Sequence, residues 1–406
     1  MIQLSTIRNA AKTLQGKIIR TPLVYSPAFS EMTGMQVYLK LENLQKTGSF
    51  KSRGATYKVY SHLDEIGPEG VVAASAGNHA QGVALAAKQA GVPATIIMPE
   101  WASLSKQEAT RGYGGEVILA GKSIGESIAK ALDLAKSGGK LFIHPYDDPE
   151  IIVGQGTIGL EIFEDLADPD LILVPIGGGG LISGIAVAAR AIRPMTKVIG
   201  VQAAASPSAF RARQTGGITP VETRSSIADG ITIKQTGRIT FPIIQEKVDD
   251  VVLVEEDQIA AAVLMLLERK KVLAEGAGAV PLAAILGSCV EMRKDSKAVL
   301  VISGGNVDSP LLGRIIRQGL FRKHRIMRFS VYLDDIPGSL ARILTLIASL
   351  KANVLHIYHT RSGRKLSINI SRVELELETR GPEHIQEITD ALQEAGYQLT
   401  PDLYDC

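Results

Sequence analysis

The chain has 406 residues, 45% of them hydrophobic and 21% charged, enough for two or three domains that each bury a core of their own. Forty-four Lys and Arg against 42 Asp and Glu leave a net charge of +2, so no nucleic acid and no membrane surface is expected as a partner, since both need a concentrated basic field. The two cysteines, Cys289 and Cys406, exclude a disulfide framework or a paired-cysteine metal site and fit a reducing cytoplasm.

The N-terminal stretch MIQLSTIRNAAKTLQGKIIR spaces its apolar residues like one face of a helix and lacks the charged-then-apolar order of a secretion signal. No apolar run approaches the roughly 20 residues of a membrane span. Next comes the string Lys40 to Ala55, in which Lys51 follows a Gly48-Ser49 turn and opens the helical stretch RGATYKVYSHL. An amine near a helix N-terminus among small residues has a lowered pKa and is the more nucleophilic for it. Taken alone, Lys51 also fits an ordinary exposed lysine.

From residue 70 onward, apolar β-branched runs alternate with Ala-rich helical stretches. GVVAAS (70–75), PATIIMP (93–99), EVILAG (116–121), DLILVPI (170–176), KVIGVQA (197–203) and KAVLVIS (297–303) read as strands buried on both faces. The body up to residue 322 is therefore open α/β, and ligands are expected where strands end.

Three Gly-containing loops lie at such ends. Ser75-Ala76-Gly77-Asn78-His79 starts a helix whose free N–H groups form an anion site, or is a plain Gly-Asn cap beside a satisfied histidine. Gly177-Gly178-Gly179-Gly180-Leu181 lets backbone N–H groups approach a phosphate at a helix N-terminus, which a flexible turn would not need. Ser303-Gly304-Gly305-Asn306 ends the last strand of the body. Two further strings lead elsewhere. Gly154-Gln155-Gly156-Thr157-Ile158-Gly159 satisfies the dinucleotide fingerprint, but no clear strand precedes it, and it reads as a close helix-packing surface. Gly115 to Ser123 misses the P-loop spacing by one residue.

The basic stretch FRKHRIMR (321–328) reads as a solvated connector to a tail over 323–406. MRFSVYL, PGSLARILTLIASLKAN, VLHIYHTRS, LSINISRVELELET and GPEHIQEITDALQEAGY read as strand, helix, strand, strand and helix. That order, with a last short strand, is an α+β ferredoxin-like module.

The Lys40–Ala55 string resembles the lysine motif of fold-type II pyridoxal-phosphate enzymes, specifically the serine/threonine dehydratases, and the resemblance extends through the whole body. It implies two open twisted sheets as in the β chain of tryptophan synthase, with a smaller subdomain over about 40–150 inserted in a larger one. It also implies pyridoxal 5'-phosphate as cofactor, held covalently by Lys51 and contacted at Phe50. The Ser75–His79 loop (Ser75, Ala76, Gly77, Asn78, His79) would bind the substrate carboxylate, and Asn78 the ring oxygen of the cofactor. Gly177 to Leu181 would take its phosphate, and Ser303 its pyridine nitrogen. Glu275, in a stretch similar to the family's Glu-Pro-Ala-Gly-Ala but with Gly276 in place of Pro, would stand near the ring. Ile227-Ala228-Asp229-Gly230-Ile231 matches a family string read as structural.

The reaction so implied is β-elimination of water from threonine, giving 2-oxobutanoate and ammonia, and from serine, giving pyruvate, with Lys51 as the base at Cα. The serine that relatives use for racemisation falls at Ala76, which has no proton to give, so serine racemisation is demoted. Relatives bind a divalent cation through acids after the strand that matches KVIGVQ; Gln202 to Ser208 has no carboxylate, and no metal site is expected. The tail resembles an ACT domain, with Asp335, Gly338 and Leu340 in the loop where an amino-acid effector, isoleucine or valine, would sit; a purely structural dimerisation module is the alternative. The chain is expected to form a homodimer or homotetramer. β-Replacement on the same fold and a catalytically silent amino-acid sensor are the competing readings.

Overall fold

The computed structural model describes residues 2–291, 293–361 and 366–401, so Cys406 lies outside the described residues. The chain divides into two compact units, Met1–Leu311 and Leu312–Cys406.

The first unit holds two sheets. The larger runs, in spatial order, Leu23–Tyr25, Gln36–Leu41, Lys297–Ile302, Leu171–Pro175, Lys197–Ala203 and Asp250–Val254. All its pairings are parallel except that of the edge strand Leu23–Tyr25. The smaller, Glu116–Leu119, Ala94–Met98, Val71–Ala74 and Leu141–Phe142, is parallel throughout. The strands expected from their apolar runs all form, because side chains such as Ile172, Val174, Val299 and Val301 are buried between helices on both faces. Four strands form beyond those expected: Leu23–Tyr25, Gln36–Leu41, Leu141–Phe142 and Asp250–Val254.

Three helices position the site. Of Lys51–Ser61, Pro149–Asp165 and Gly180–Ile192, the middle one packs closely on both others. Pro149–Asp165 is started by Asp148, whose carboxylate accepts from Glu150 N and Ile151 N, with Pro149 in the first turn. The GQGTIG string lies inside it as its contact surface. A Cβ on Gly154 would stand 2.6 Å from Gly54 Cα, and one on Gly156 3.0 Å from Gly184 O. One helix thus docks on the lysine helix through Gly154 and on the tetraglycine helix through Gly156.

The second unit is one antiparallel sheet, ordered Asn353–Thr360, Ile370–Glu378, Ile326–Asp334, Leu399–Pro401, with helices Ser339–Ser349 and Pro382–Glu394. Phe329, Val331, Val373 and Leu375 alternate inward along their strands and meet Ile343, Ile347, Ile388 and Leu392. The final strand expected of the ferredoxin-like order is present; Ser362, at the end of the VLHIYHTRS run, lies outside the described residues. The unit begins ahead of the boundary suggested by the basic stretch. Helix Ser309–Arg322 falls almost wholly within it, with Arg317 paired to Glu376 of the central strands.

Candidate active site

Lys51 is the first residue of its helix, and the residues before it are sewn to the end of the last body strand. Phe50 N donates to Ser303 O (3.0 Å), Gly305 N to Gly48 O (2.9 Å), and Ser49 bridges Gly304. The loop of Ser303 and the lysine turn are therefore one structure. Lys51 Nζ donates to Pro145 O at 2.8 Å and stands 5.2 Å from the centroid of the Phe50 ring. Burial lowers its pKa to about 8 against the opposing pull of Glu275, so an appreciable fraction is free amine near neutrality.

The Ser75–His79 loop closes the strand Val71–Ala74 and opens the helix Asn78–Ala90. Gly77 N donates to Ser75 Oγ (3.2 Å). His79 is buried, and its Nε2 bonds Ile143 O at 2.9 Å. Burial, with Lys51 nearby, lowers its pKa to about 3, so the ring stays neutral and occupied, leaving its backbone N–H for a ligand. The Asn78 amide is held at both ends: it donates to Glu275 Oε1 (2.7 Å), and its Oδ1 accepts from Asn306 Nδ2 (2.7 Å). One amide N–H remains for a further acceptor. Ala76 is half-buried, with no side-chain proton to transfer.

The tetraglycine loop carries the start of Gly180–Ile192. Among the described residues nothing accepts from the N–H groups of Gly177 to Leu181, which leaves a row of donors at a helix N-terminus. The glycines are demanded from the protein side as well. A Cβ on Gly178 would fall 2.2 Å from the Tyr146 ring, one on Gly180 2.9 Å from Tyr146 O, and Gly179 has φ +100°. Gly178 O is fixed by Thr240 Oγ1 (2.6 Å) and Gly237 N (3.2 Å).

Glu275 joins these loops. It is 5% exposed, its N–H donates to Gly304 O (3.1 Å), and its carboxylate accepts from Asn78. Burial and the charge of Asp229 raise its pKa to about 7, against Asn78, Lys106 and Lys51. Gly276 stands where a Cβ would fall 2.3 Å from Ile227 O. Asp229 is itself paired with Lys106 (2.9 Å). Gln202 is occupied in capping: its Oε1 accepts from Ala209 N and Phe210 N.

Pro145, Tyr146, Asp147, Thr240 and Lys106 are site neighbours that sequence reasoning missed. Asp147-Asp148-Pro149 reads as an ordinary helix start, which Asp148 alone fulfils. Only the Gly-Gly demand for space opposite Tyr146 could have hinted at the rest.

The residues fit pyridoxal phosphate. A lysine amine of lowered pKa, a row of unpaired N–H groups with a helix dipole for a dianionic phosphate, and the hydroxyl of the buried residue Ser303 at the end of the last body strand match its aldehyde, phosphate and ring nitrogen.

Comparison with known proteins agrees. A family model described as pyridoxal-phosphate dependent enzyme matches residues 14–304, and an ACT domain model matches 327–396. The chain is 48% identical over 399 residues to an L-threonine ammonia-lyase of Thermotoga maritima, covering 98% of this chain and 99% of the relative. Its fold is similar to the crystal structure of a T.th. threonine deaminase (TM-score 0.71, 39% identity, 76% of this chain and 99% of that one). It is also similar to maize serine racemase (TM-score 0.74, 36% identity, 79% and 99%).

Proposed function

The chain belongs to the pyridoxal-phosphate dependent enzyme family, in its fold-type II form with a C-terminal ACT domain, and on that premise we propose that it is a threonine ammonia-lyase. It converts L-threonine to 2-oxobutanoate and ammonia, and L-serine to pyruvate. The observation that carries the reading is that Pro145 holds the Lys51 amine while the next residue, Tyr146, rests on Gly178, so amine and phosphate cradle stand one residue apart.

When bound, pyridoxal phosphate supplies an aldehyde that takes the substrate amine and a ring that withdraws electrons from Cα. Gly177 to Leu181 would hold the phosphate through backbone N–H groups, Ser303 Oγ would serve the ring nitrogen, and Asn78 would offer its spare N–H to the ring oxygen. A hydroxyl at Ser303, not a carboxylate, would leave that nitrogen without a proton, which would favour prompt loss of a β-leaving group. The N–H groups of the Ser75–His79 loop bind the substrate carboxylate. Lys51 Nζ, once free, removes the Cα proton; its lowered pKa suits it to act near neutrality. Racemisation needs a second acid on the opposite face, which Ala76 does not supply, so the likeness to a serine racemase does not carry that activity over.

The ACT unit is read as an allosteric site for isoleucine or valine. A pocket of about 280 Å³ is lined by Asp335, Gly338 and Leu340 with His359, Arg361 and Ser371, and His359 Nε2 is buried without a partner. An effector of that kind assigns the enzyme to cytoplasmic isoleucine synthesis. We further read the assembly as a homodimer or homotetramer.

The test is direct. Protein loaded with pyridoxal phosphate should absorb in the visible and release 2-oxobutanoate from threonine; Lys51→Ala should lose both the lysine-bound absorbance and about a thousandfold or more in kcat, the weight of a lost base and attachment. A colourless protein without turnover ends the reading, and so does a Lys51→Ala variant of normal activity.

A further inference from the structure

His144 and Asp147 have no role in the mechanism above, yet the stretch they bound touches both ends of the cofactor site. His144 Nδ1 accepts from Tyr146 N (3.2 Å) and Asp147 N (2.8 Å), which folds the stretch into a tight turn. Burial lowers the pKa of His144 to about 4, so that nitrogen stays an acceptor at neutral pH. From this turn Pro145 O reaches Lys51 Nζ, and the Tyr146 ring lies against Gly178.

Asp147 faces the other way. Its Oδ2 accepts from Arg238 N (2.9 Å), and its Oδ1 from Ile239 N (2.8 Å) and Thr240 N (3.2 Å). These are N–H groups at the start of the helix Thr240–Lys247, which has no capping side chain of its own. That helix start returns the contact to the phosphate cradle, since Thr240 Oγ1 and Gly237 N both donate to Gly178 O. A Cβ on Gly237 would stand 2.1 Å from Asp147 Oδ1, so residue 237 is a glycine because the carboxylate is there.

We propose that Asp147 is a positioning residue for the cofactor: its carboxylate sets the 237–240 turn, which in turn holds Gly178 O and so aims the N–H groups of Gly177 to Leu181 at the phosphate. Asp147 does not touch the phosphate and carries no proton in the reaction. The inference rests on the functional reading above, since it presupposes a bound pyridoxal phosphate. It predicts that loss of the carboxylate is felt first as weaker cofactor binding. Lysine reactivity and turnover at saturating cofactor are felt less.

The experiment is a pyridoxal-phosphate titration of apoprotein, followed by visible absorbance, for the wild type, Asp147→Ala, Asp147→Asn and Gly237→Ala, with thermal melts of each apoprotein. Asp147→Ala and Gly237→Ala should each raise the dissociation constant about tenfold or more, the weight of one charge-assisted hydrogen bond. Asp147→Asn keeps an acceptor and should recover most of that loss. At saturating cofactor, kcat for threonine should stay within about threefold of wild type. Asp147→Ala binding the cofactor as tightly as wild type overturns the inference. Equal weakening in Asp147→Ala and Asp147→Asn with matching falls in apoprotein Tm also overturns it, because that pattern is general unfolding. Failure of the wild type to bind pyridoxal phosphate is a different result: it removes the functional reading itself.

Discussion

At the scale of single residues, Glu275 has the consequence that can be measured most directly. Burial and the neighbouring Asp229 charge raise its pKa to about 7, although Asn78 donates to it. A carboxyl group with a raised pKa in the folded state binds its proton more tightly there than in the unfolded chain. Its favourable contribution is therefore complete below the unfolded pKa of about 4.5 and is lost as pH rises through about 7. Glu275→Gln removes that loss while keeping an oxygen for Asn78. The apoprotein variant should gain Tm relative to wild type steadily between about pH 5 and about pH 8, with the gap level outside that window. Paired melts over that range check the sign; a gap that shrinks with rising pH would mean that Asn78 and Lys106 outweigh burial. His79 is shifted the opposite way, to about 3, and remains the neutral, satisfied histidine that its position beside a glycine also allowed.

At the scale of elements, the lysine helix is fixed from behind by ions. Arg53, two residues beyond Lys51, is fully buried and pairs with Glu42 (2.7 Å) and Glu161 (2.6 Å), while buried Lys40 takes the second Glu161 oxygen (2.6 Å). Glu42 follows the strand Gln36–Leu41 and Glu161 belongs to Pro149–Asp165, so two cations and two anions clamp three elements. Arg53→Met leaves Glu42 without its cation in a dry interior and should cost about 3–5 kcal/mol, read as a lower denaturant midpoint. Adding Glu42→Leu should recover part of it, as removing both charges is cheaper than stranding one. A variant within about 0.5 kcal/mol of wild type would show that water reaches the network. This clamp also explains what was legible beforehand. Strands such as Leu171–Pro175 announce themselves by continuous apolar runs, and the cofactor loops by strings of adjacent residues. Gln36–Leu41 hides because its core-facing Lys40 is neutralised by a residue 121 positions away. Asp147 hides for the same reason: its partners on Thr240 lie 93 residues on, and no local pattern marks that pairing.

At the scale of the whole molecule, the proposed regulation would join the two folded units by one thermodynamic linkage. The ACT unit keeps a pocket with an Arg361–Asp335 pair (2.9 Å) beside the unpaired His359 Nε2, so a free amino acid there would meet a cation, a carboxylate and an apolar wall at Leu340 and Ile336. If isoleucine or valine binds there only in the folded chain, it raises stability by about 2.7 kcal/mol at a hundredfold excess over its dissociation constant, seen as a higher Tm. Asp335→Ala combined with Arg361→Ala should abolish that rise and leave threonine turnover without effector intact. Allostery makes a stronger demand. Where the effector weakens threonine binding by some factor, threonine must weaken effector binding by the same factor, because the coupling free energy belongs to the pair of ligands. The reciprocal measurement uses a non-reactive threonine analogue, so that turnover does not consume it, and compares the isoleucine dissociation constant with and without it by calorimetry. Equal factors that differ from one establish allosteric coupling between the effector and threonine sites. An effector that raises Tm while both factors equal one binds without regulating, and the tail is then a structural module that happens to hold an amino acid.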